Sequence, residues 1–317
     1  MRKHIFGPVP SRRFGRSLGI DCNAPKTCTL DCVFCQLGPT GHLTTEPQAA
    51  VQVQDLLQEI KDWLDNDGQA DVLTFSGSGE PTLHPGLGDI IDGIRSLCSM
   101  KVLLLTNGTL LHRPKVRAAA RKADMVKYSL SAWDQASFEQ INRPHPEITF
   151  ETLLSGLQAF RPEFSGQLFQ ETFVIQGVND TPEAMDRIAA YSRTIRPDRV
   201  QLNTAVRPPA QSWVRPAGAD RLQELAAHFD PPAEIIAEFR ADQQPAVQMT
   251  AQHILDMLKR RPCTLEDVAH SFSLHPNEAT KYLGRLVRRG EVQAETRGEA
   301  TYYRASDVSF ASDKADI

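Results

Sequence analysis

Residues 72–106, VLTFSGSGEPTLHPGLGDIIDGIRSLCSMKVLLLT, contain one complete strand–helix–strand unit. VLTFS (72–76) is a short apolar run of β-forming residues, stopped by the turn residues Gly77, Ser78 and Gly79. GLGDIIDGIRSL (86–97) then spaces its apolar residues three and four apart, as one face of a helix requires. KVLLLT (101–106) returns to a continuous apolar run. Strands that read as unbroken apolar runs and alternate with amphipathic helices belong in a parallel sheet joined by right-handed crossovers.

The same alternation extends outward in both directions, from about residue 18 to 205. SLGI (17–20), MVKYSLS (125–131), LFQETFVI (168–175) and RVQLNTAV (199–206) add four strands, and VQVQDLLQEIKDWLD (51–65), FETLLSGLQAF (150–160) and PEAMDRIAAYSRTI (182–195) add helices. Six strands fall short of a closed eight-stranded barrel. On pattern alone a partial barrel and a doubly wound sheet both stay open, and either gathers ligands at the C-terminal ends of its strands.

At 317 residues the chain suits one large α/β domain with a small appendage. The appendage begins near 245, after ADQQPAVQ. MTAQHILDMLKRR (249–261) reads as a helix, Thr264 is placed to N-cap a second one over TLEDVAHSF, and NEATKYLGRLVRRG (277–290) reads as a third, closed by Gly290. GEVQAETRGEATYYRA (290–305) then reads as two short strands. Three helices followed by a β-wing is the order of a winged helix-turn-helix. The expected division is therefore 1–244, 245–306 and a loose tail at 307–317.

A net charge of −4 argues against nucleic-acid binding by the molecule as a whole, so any such role needs a local patch. On the third C-terminal helix Lys281, Arg285, Arg288 and Arg289 fall close to one face, while Ala279, Tyr282, Leu283 and Leu286 supply packing contacts. The sequence has no run of eighteen apolar residues, and its start, MRKHIFGPVP, has no apolar stretch long enough for a signal peptide. The expected location is the cytoplasm, with no membrane partner.

Four of the six cysteines, at 22, 28, 32 and 35, lie within fourteen residues. In a reducing compartment such crowding points to a metal or to redox chemistry. CTLDCVFC offers three thiolates at CxxxCxxC spacing, which suits iron–sulfur chemistry; a structural zinc would want a fourth ligand, from Cys22 or a distant histidine. Three thiolates on a cubane leave one iron open for a cofactor. Cys98 and Cys263 read as small buried hydrophobes.

CxxxCxxC with an aromatic residue, Phe34, before the third cysteine resembles the signature of the radical S-adenosylmethionine superfamily. SGSGEP at the end of the second strand resembles that family's Gly-Gly-Glu-Pro motif with Ser78 inserted. The resemblance implies a partial (βα)6 TIM-type barrel in which Cys28, Cys32 and Cys35 hold a 4Fe-4S cluster, and Gly77, Gly79 and Glu80 approach the methionine ammonium of S-adenosylmethionine. Asn107, Ser129, Ser131, Glu171 and Asn203, polar residues at later strand ends, would contact the rest of the cofactor. GPVPSRRFGRSLGID leading into KTCTLDCVFCQLG is similar to a branch related to the wyosine-base and molybdenum-cofactor synthesis enzymes, and RPPA (207–210) is family-like although Gln211 follows where an acidic residue is expected.

The implied reaction is reductive cleavage of the cofactor to a 5′-deoxyadenosyl radical, which abstracts hydrogen from a substrate. It needs an electron donor such as a flavodoxin or ferredoxin. Arg12, Arg13 and Arg16, just upstream of the cysteines, are candidates for substrate phosphate or carboxylate. Three functions follow: a radical enzyme whose winged helix recruits nucleic acid or peptide, one acting on a small molecule, and a cluster-sensing regulator. The regulator has no use for SGSGEP, and cofactor cleavage would separate it from the other two.

Overall fold

The structure is a computed structural model and describes residues 4–11, 14–66, 68–236, 251–272, 274, 276–297 and 300–306. In chain order the elements are β1 (Ile5–Ser11), β2 (Gly15–Ile20), β3 (Thr27–Cys28), β4 (His42–Leu43), α1 (Val53–Asp65), β5 (Val72–Phe75), α2 (Leu87–Leu97), β6 (Lys101–Thr106), α3 (Pro114–Ala120) and β7 (Met125–Ser129). They continue with α4 (Gln135–Asn142), α5 (Phe150–Glu163), β8 (Gln167–Val174), α6 (Pro182–Ile195), β9 (Arg199–Thr204), α7 (Ala219–Ala226), β10 (Glu234–Ile235), α8 (Ala251–Leu258), α9 (Leu265–Ser271), α10 (Pro276–Arg288), β11 (Val292–Arg297) and β12 (Ala300–Ala305).

One sheet runs β1-β2-β5-β6-β7-β8-β9-β10, parallel throughout except for antiparallel β1. Its two edges do not pair, so the barrel is open. All six expected strands are present. The sheet exceeds that count through β1 and the two-residue β10. β1 escapes a hydrophobic-period reading because IFGPVPS carries two prolines, which a sheet tolerates at an edge.

Each strand alternates between two environments. Leu18, Leu73, Phe75, Val102, Leu104, Val126, Tyr128, Leu168, Val174 and Leu202 face the helices and form the main core. On the opposite, concave face Val72, Leu103, Met125 and Phe169 form a small apolar plug with Phe14 against it. The helices are started by local chemistry: Asp134 and Thr149 close capping boxes on α4 and α5, and Thr181 caps α6, with Pro182 at its first position.

In the C-terminal segment three helices and the antiparallel β11–β12 ribbon follow one another in the expected order around their own core, into which Val9 of β1 also packs. The Thr264 cap is formed: Asp267 N donates to Thr264 Oγ1 and Thr264 N to Asp267 Oδ2, both at 3.1 Å. Gly290 ends the third helix at φ +69°. Residues 237–250, where the expected boundary at 244/245 falls, and the tail 307–317 lie outside the described residues. No helix among those described is long and apolar enough to cross a membrane.

Candidate cluster and cofactor site

The cysteine loop leaves β2 at the C-terminal end of the sheet and is pinned on both sides. Asp31 N donates to Asn142 O and Val33 N to Ile141 O at the end of α4, at 3.1 and 3.0 Å. Within the loop Cys35 N donates to Cys32 O, and Thr44 N to Cys28 O. No disulfide joins Cys28, Cys32 and Cys35. Burial pushes the Cys28 thiol up to about 12 and raises Cys32 and Cys35 as well, with repulsion from Cys28 and Cys35 adding at Cys32. Three such thiols become thiolates together only against a positive centre, which is what iron supplies.

Two amides already face these sulfurs: Asn142 Nδ2 lies 3.2 Å from Cys32 Sγ and Asn107 Nδ2 lies 3.5 Å from Cys28 Sγ. Hydrogen bonds to ligating sulfur stabilise its charge and tune a cluster. Among the described residues no three His, Cys, Asp or Glu groups converge as they would on a single ion. A cubane asks for something else, since each thiolate binds its own iron. The donor set fits a cluster. Cys22 is buried in the main core, Cys98 packs against it, and Cys263 is buried in the C-terminal core.

The loop after β5 is sewn to the cysteine loop. Lys26 N donates to Ser78 O at 2.7 Å and Glu80 N to Thr27 O at 3.1 Å. The glycines make this approach possible: a Cβ on Gly79 would stand 2.0 Å from Thr27 O, and one on Gly77, whose φ is +142°, would stand 2.4 Å from Asp21 Cγ. Asp21 accepts from Ser78 N at 3.1 Å and from Ser78 Oγ at 2.6 Å, while Asn23 Nδ2 donates to Glu80 O at 2.8 Å.

Glu80, expected to approach the methionine ammonium, is buried and accepts from Thr82 N (3.0 Å), Thr82 Oγ1 (2.6 Å), Thr106 Oγ1 (2.6 Å) and Asn107 N (2.7 Å). Burial raises its carboxyl above the ordinary value while these bonds pull it back. Asn107 is correspondingly fixed, its Oδ1 accepting from Thr109 N and Oγ1 and its Nδ2 donating to Thr29 Oγ1.

Ser129 and Asn203 stand part-exposed at the ends of β7 and β9. Ser131 does not: it is buried, and its Oγ accepts from Phe173 N at 2.9 Å, tying the chain after β7 to β8. Glu171, on the concave face of β8, is ion-paired with Lys127 of β7. Phe34 stacks on Phe173, centroids 4.1 Å apart and planes 10° from parallel, in an apolar wall with Val33, Ile141, Ile175 and Val214. The segment after RPPA reaches this wall, since Gln211 N donates to Val33 O at 3.0 Å.

Arg16 is a correction. It begins β2, at the end of the sheet opposite the cysteine loop, and is paired with Asp71 through its backbone N (2.6 Å) and guanidinium (3.5 Å). Proximity in sequence to the cysteines is undone by the length of the strand between them. Arg12 and Arg13 lie outside the described residues.

Sequence reading assigned no role to Asp21, the last residue of GPVPSRRFGRSLGID, nor to Asn23, Asn142 or Arg260. From just beyond α8, the Arg260 guanidinium sits 4.1 Å over the Phe6 ring and 3.6 Å from Asp21, the residue that holds Ser78. Arg207, after β9, meets Asp267 of α9 at 3.5 Å. The C-terminal segment thus meets the open sheet near both of its edges, at the C-terminal ends of the strands.

Residues 23–189 match the radical SAM superfamily. A UPF0026 protein of Helicobacter pylori is 33% identical over 306 residues, covering 95% of this chain and 97% of that one. A protein of Brachyspira hyodysenteriae named GTPase Obg is 34% identical over 297 residues, 92% of this chain, yet this chain spans 44% of that protein's length. No GxxxxGK[ST] run occurs here. A radical SAM methyltransferase of Sphaerobacter thermophilus shares the fold, with a TM-score of 0.51 at 15% identity over 70% of this chain and 65% of its own.

Proposed function

The chain belongs to the radical SAM superfamily, whose members use a 4Fe-4S cluster and S-adenosylmethionine, and from that premise we propose that Cys28, Cys32 and Cys35 hold the cluster of a radical enzyme. The observation that carries this reading is the stitching of the cysteine loop to the Gly77–Glu80 loop through Lys26, Thr27 and Asp21. It brings the two motifs together at the C-terminal ends of the strands, where α/β folds bind ligands.

The cluster and cofactor, when bound, supply reductive cleavage of the sulfonium and a 5′-deoxyadenosyl radical. The protein's own residues hold, orient and exclude water. Gly77 and Gly79 leave room for backbone to meet the methionine end, Asn107 holds the cysteine loop, Ser129 and Asn203 offer hydrogen bonds along the rim, and Glu171 adds a carboxylate level with Ser129. The stacked pair Phe34–Phe173 supplies a dry wall on the cluster side. Glu80 and Ser131 act from behind, as positioning residues. Reduction requires a small electron-transfer protein of the flavodoxin or ferredoxin kind.

Anaerobically reconstituted, dithionite-reduced protein is expected to release 5′-deoxyadenosine slowly even without substrate. A preparation with a full cluster and bound cofactor that yields none would overturn the assignment as a radical enzyme. Production of the nucleoside also excludes a purely sensing role.

A second element of the reading concerns substrate recruitment. On α10, Ala279, Leu283 and Leu286 are buried and Tyr282 packs beside them, leaving Lys281, Arg285, Arg288 and Arg289 exposed. We read α8 to β12, about 245–306, as a winged-helix module that presents this face to nucleic acid. Binding of a short RNA or DNA by the full chain is then expected to weaken steeply with salt. Changing Arg285 and Arg288 together to Ala should flatten the log–log slope by about two. An unchanged slope assigns these charges to a solvated face and favours a peptide or small-molecule substrate.

A further inference from the structure

The concave face of the sheet rises in rows from the apolar plug of Val72, Leu103, Met125 and Phe169. Because side chains alternate along a strand, Lys127 shares this face with Met125 and Ser129, whereas Val126 and Tyr128 face the helices. In the ladder Lys127 lies between Leu105 and Phe169, two apolar neighbours. Glu171 lies between Ser129 and Gln201. Lys127 reaches across to pair with Glu171, both side chains about four-fifths buried, at 19% and 17% exposure.

A charged pair inside a barrel is a poor source of stability, because desolvating two ions offsets most of their attraction. The apolar plug shows that this sheet can close its floor with hydrocarbon. Beside Glu171, the side-chain oxygen of Gln201 is buried and has no hydrogen-bond partner among the described residues, although its amide nitrogen meets Glu234 at 3.3 Å. An unpaired acceptor in such a place is costly unless something donates to it. At the level of Ser129 the lumen therefore holds a carboxylate and a spare acceptor, with an ammonium reaching up from one row below.

We propose that these three residues are the substrate anchor, Lys127 binding the carboxylate of a substrate that also carries a hydrogen-bond donor, such as a hydroxy or amino acid moiety, for Gln201. In the free protein Glu171 stands in for that carboxylate and is displaced from Lys127 on binding. The anchor rests on the radical-enzyme reading for its position beneath the cofactor, but its chemistry comes from the lumen residues alone. It selects an acid end narrow enough to enter the lumen, whether of a free small molecule or of a group carried on a larger one.

The test is calorimetric titration of cluster-loaded full-length protein with glycolate and with acetate. Glycolate is expected to bind more tightly than acetate, because only glycolate also offers a donor. Lys127→Met should weaken glycolate at least tenfold. Glu171→Gln should tighten it, since an amide no longer competes for the ammonium. A structural ion pair gives no such opposite signs. The double variant Lys127→Met with Glu171→Gln removes both charges, guards against an orphaned carboxylate unfolding the protein, and should bind as weakly as Lys127→Met. No glycolate binding by wild type, or equal binding by Lys127→Met, overturns the anchor. Iron content and 5′-deoxyadenosine release of the same wild-type preparation are measured alongside; their failure strikes the radical-enzyme reading and leaves the titration to judge the anchor.

Discussion

Replacing any one of Cys28, Cys32 and Cys35 by Ala should abolish the cluster, with wild-type protein holding about four iron and four sulfide per chain after anaerobic reconstitution and each variant close to none. The expectation follows from the loop. All three thiols sit in one segment fixed to α4 by the Asp31 and Val33 amides and to the chain just after β4 by the Thr44 amide. Cys22, the nearest other thiol in sequence, is buried in the core with its sulfur directed to Asn23 at 3.7 Å. Cys98→Ala and Cys263→Ala should keep the iron, because those thiols pack in hydrophobic clusters away from the loop. Metal analysis and the broad visible absorption of the reconstituted protein check the series. Stoichiometric zinc with no visible absorption would remove the basis of the assigned chemistry.

How much of this was legible in the sequence depends on range. The six parallel strands were readable because a strand buried on both faces is a continuous apolar run, and the helices between them because their apolar residues recur three and four apart. Thr264 and Gly290 were readable for a similar reason, since caps are local chemistry. The cysteine triplet and SGSGEP were visible as strings. Contacts between distant segments were not visible. Nothing in QASFEQIN, the sequence of α4, tells that Asn142 at its end will face Cys32, and nothing marks Arg260 as the partner of the distant Asp21. Arg16 shows the converse error: adjacency in sequence suggested adjacency in space, and one strand's length carried it to the other end of the sheet. Nothing in MVKYSLS shows that Lys127 faces Glu171, because their pairing spans two strands.

Glu80 is the position where the structure most changes what a mutation should do. A carboxylate facing the cofactor's ammonium predicts that Glu80→Gln weakens cofactor binding and leaves the cofactor-free protein as stable as before. The geometry predicts otherwise. In Glu80→Gln the amide oxygen can keep the three donors at Oε1, from Thr82 N, Thr82 Oγ1 and Thr106 Oγ1, but its NH2 group must then face Asn107 N, donor against donor. A buried donor left without an acceptor costs about 1–3 kcal/mol, so the cofactor-free variant should unfold at a measurably lower temperature. Glu80→Ala strands all four donors and should fall further. Asn107 is the route to the chemistry: once its backbone is released, its amide loses the fixed aim at Cys28 Sγ and Thr29 Oγ1, and the reduced cluster's electron paramagnetic resonance signal should shift in Glu80→Gln before any cofactor is added. Asn107→Ala, which removes the amide and keeps the Glu80 contact to the backbone, should reproduce the spectral shift with a smaller loss of stability. Unchanged melting and an unchanged cofactor-free spectrum in Glu80→Gln, with cofactor affinity lost, would return Glu80 to direct contact with the ammonium.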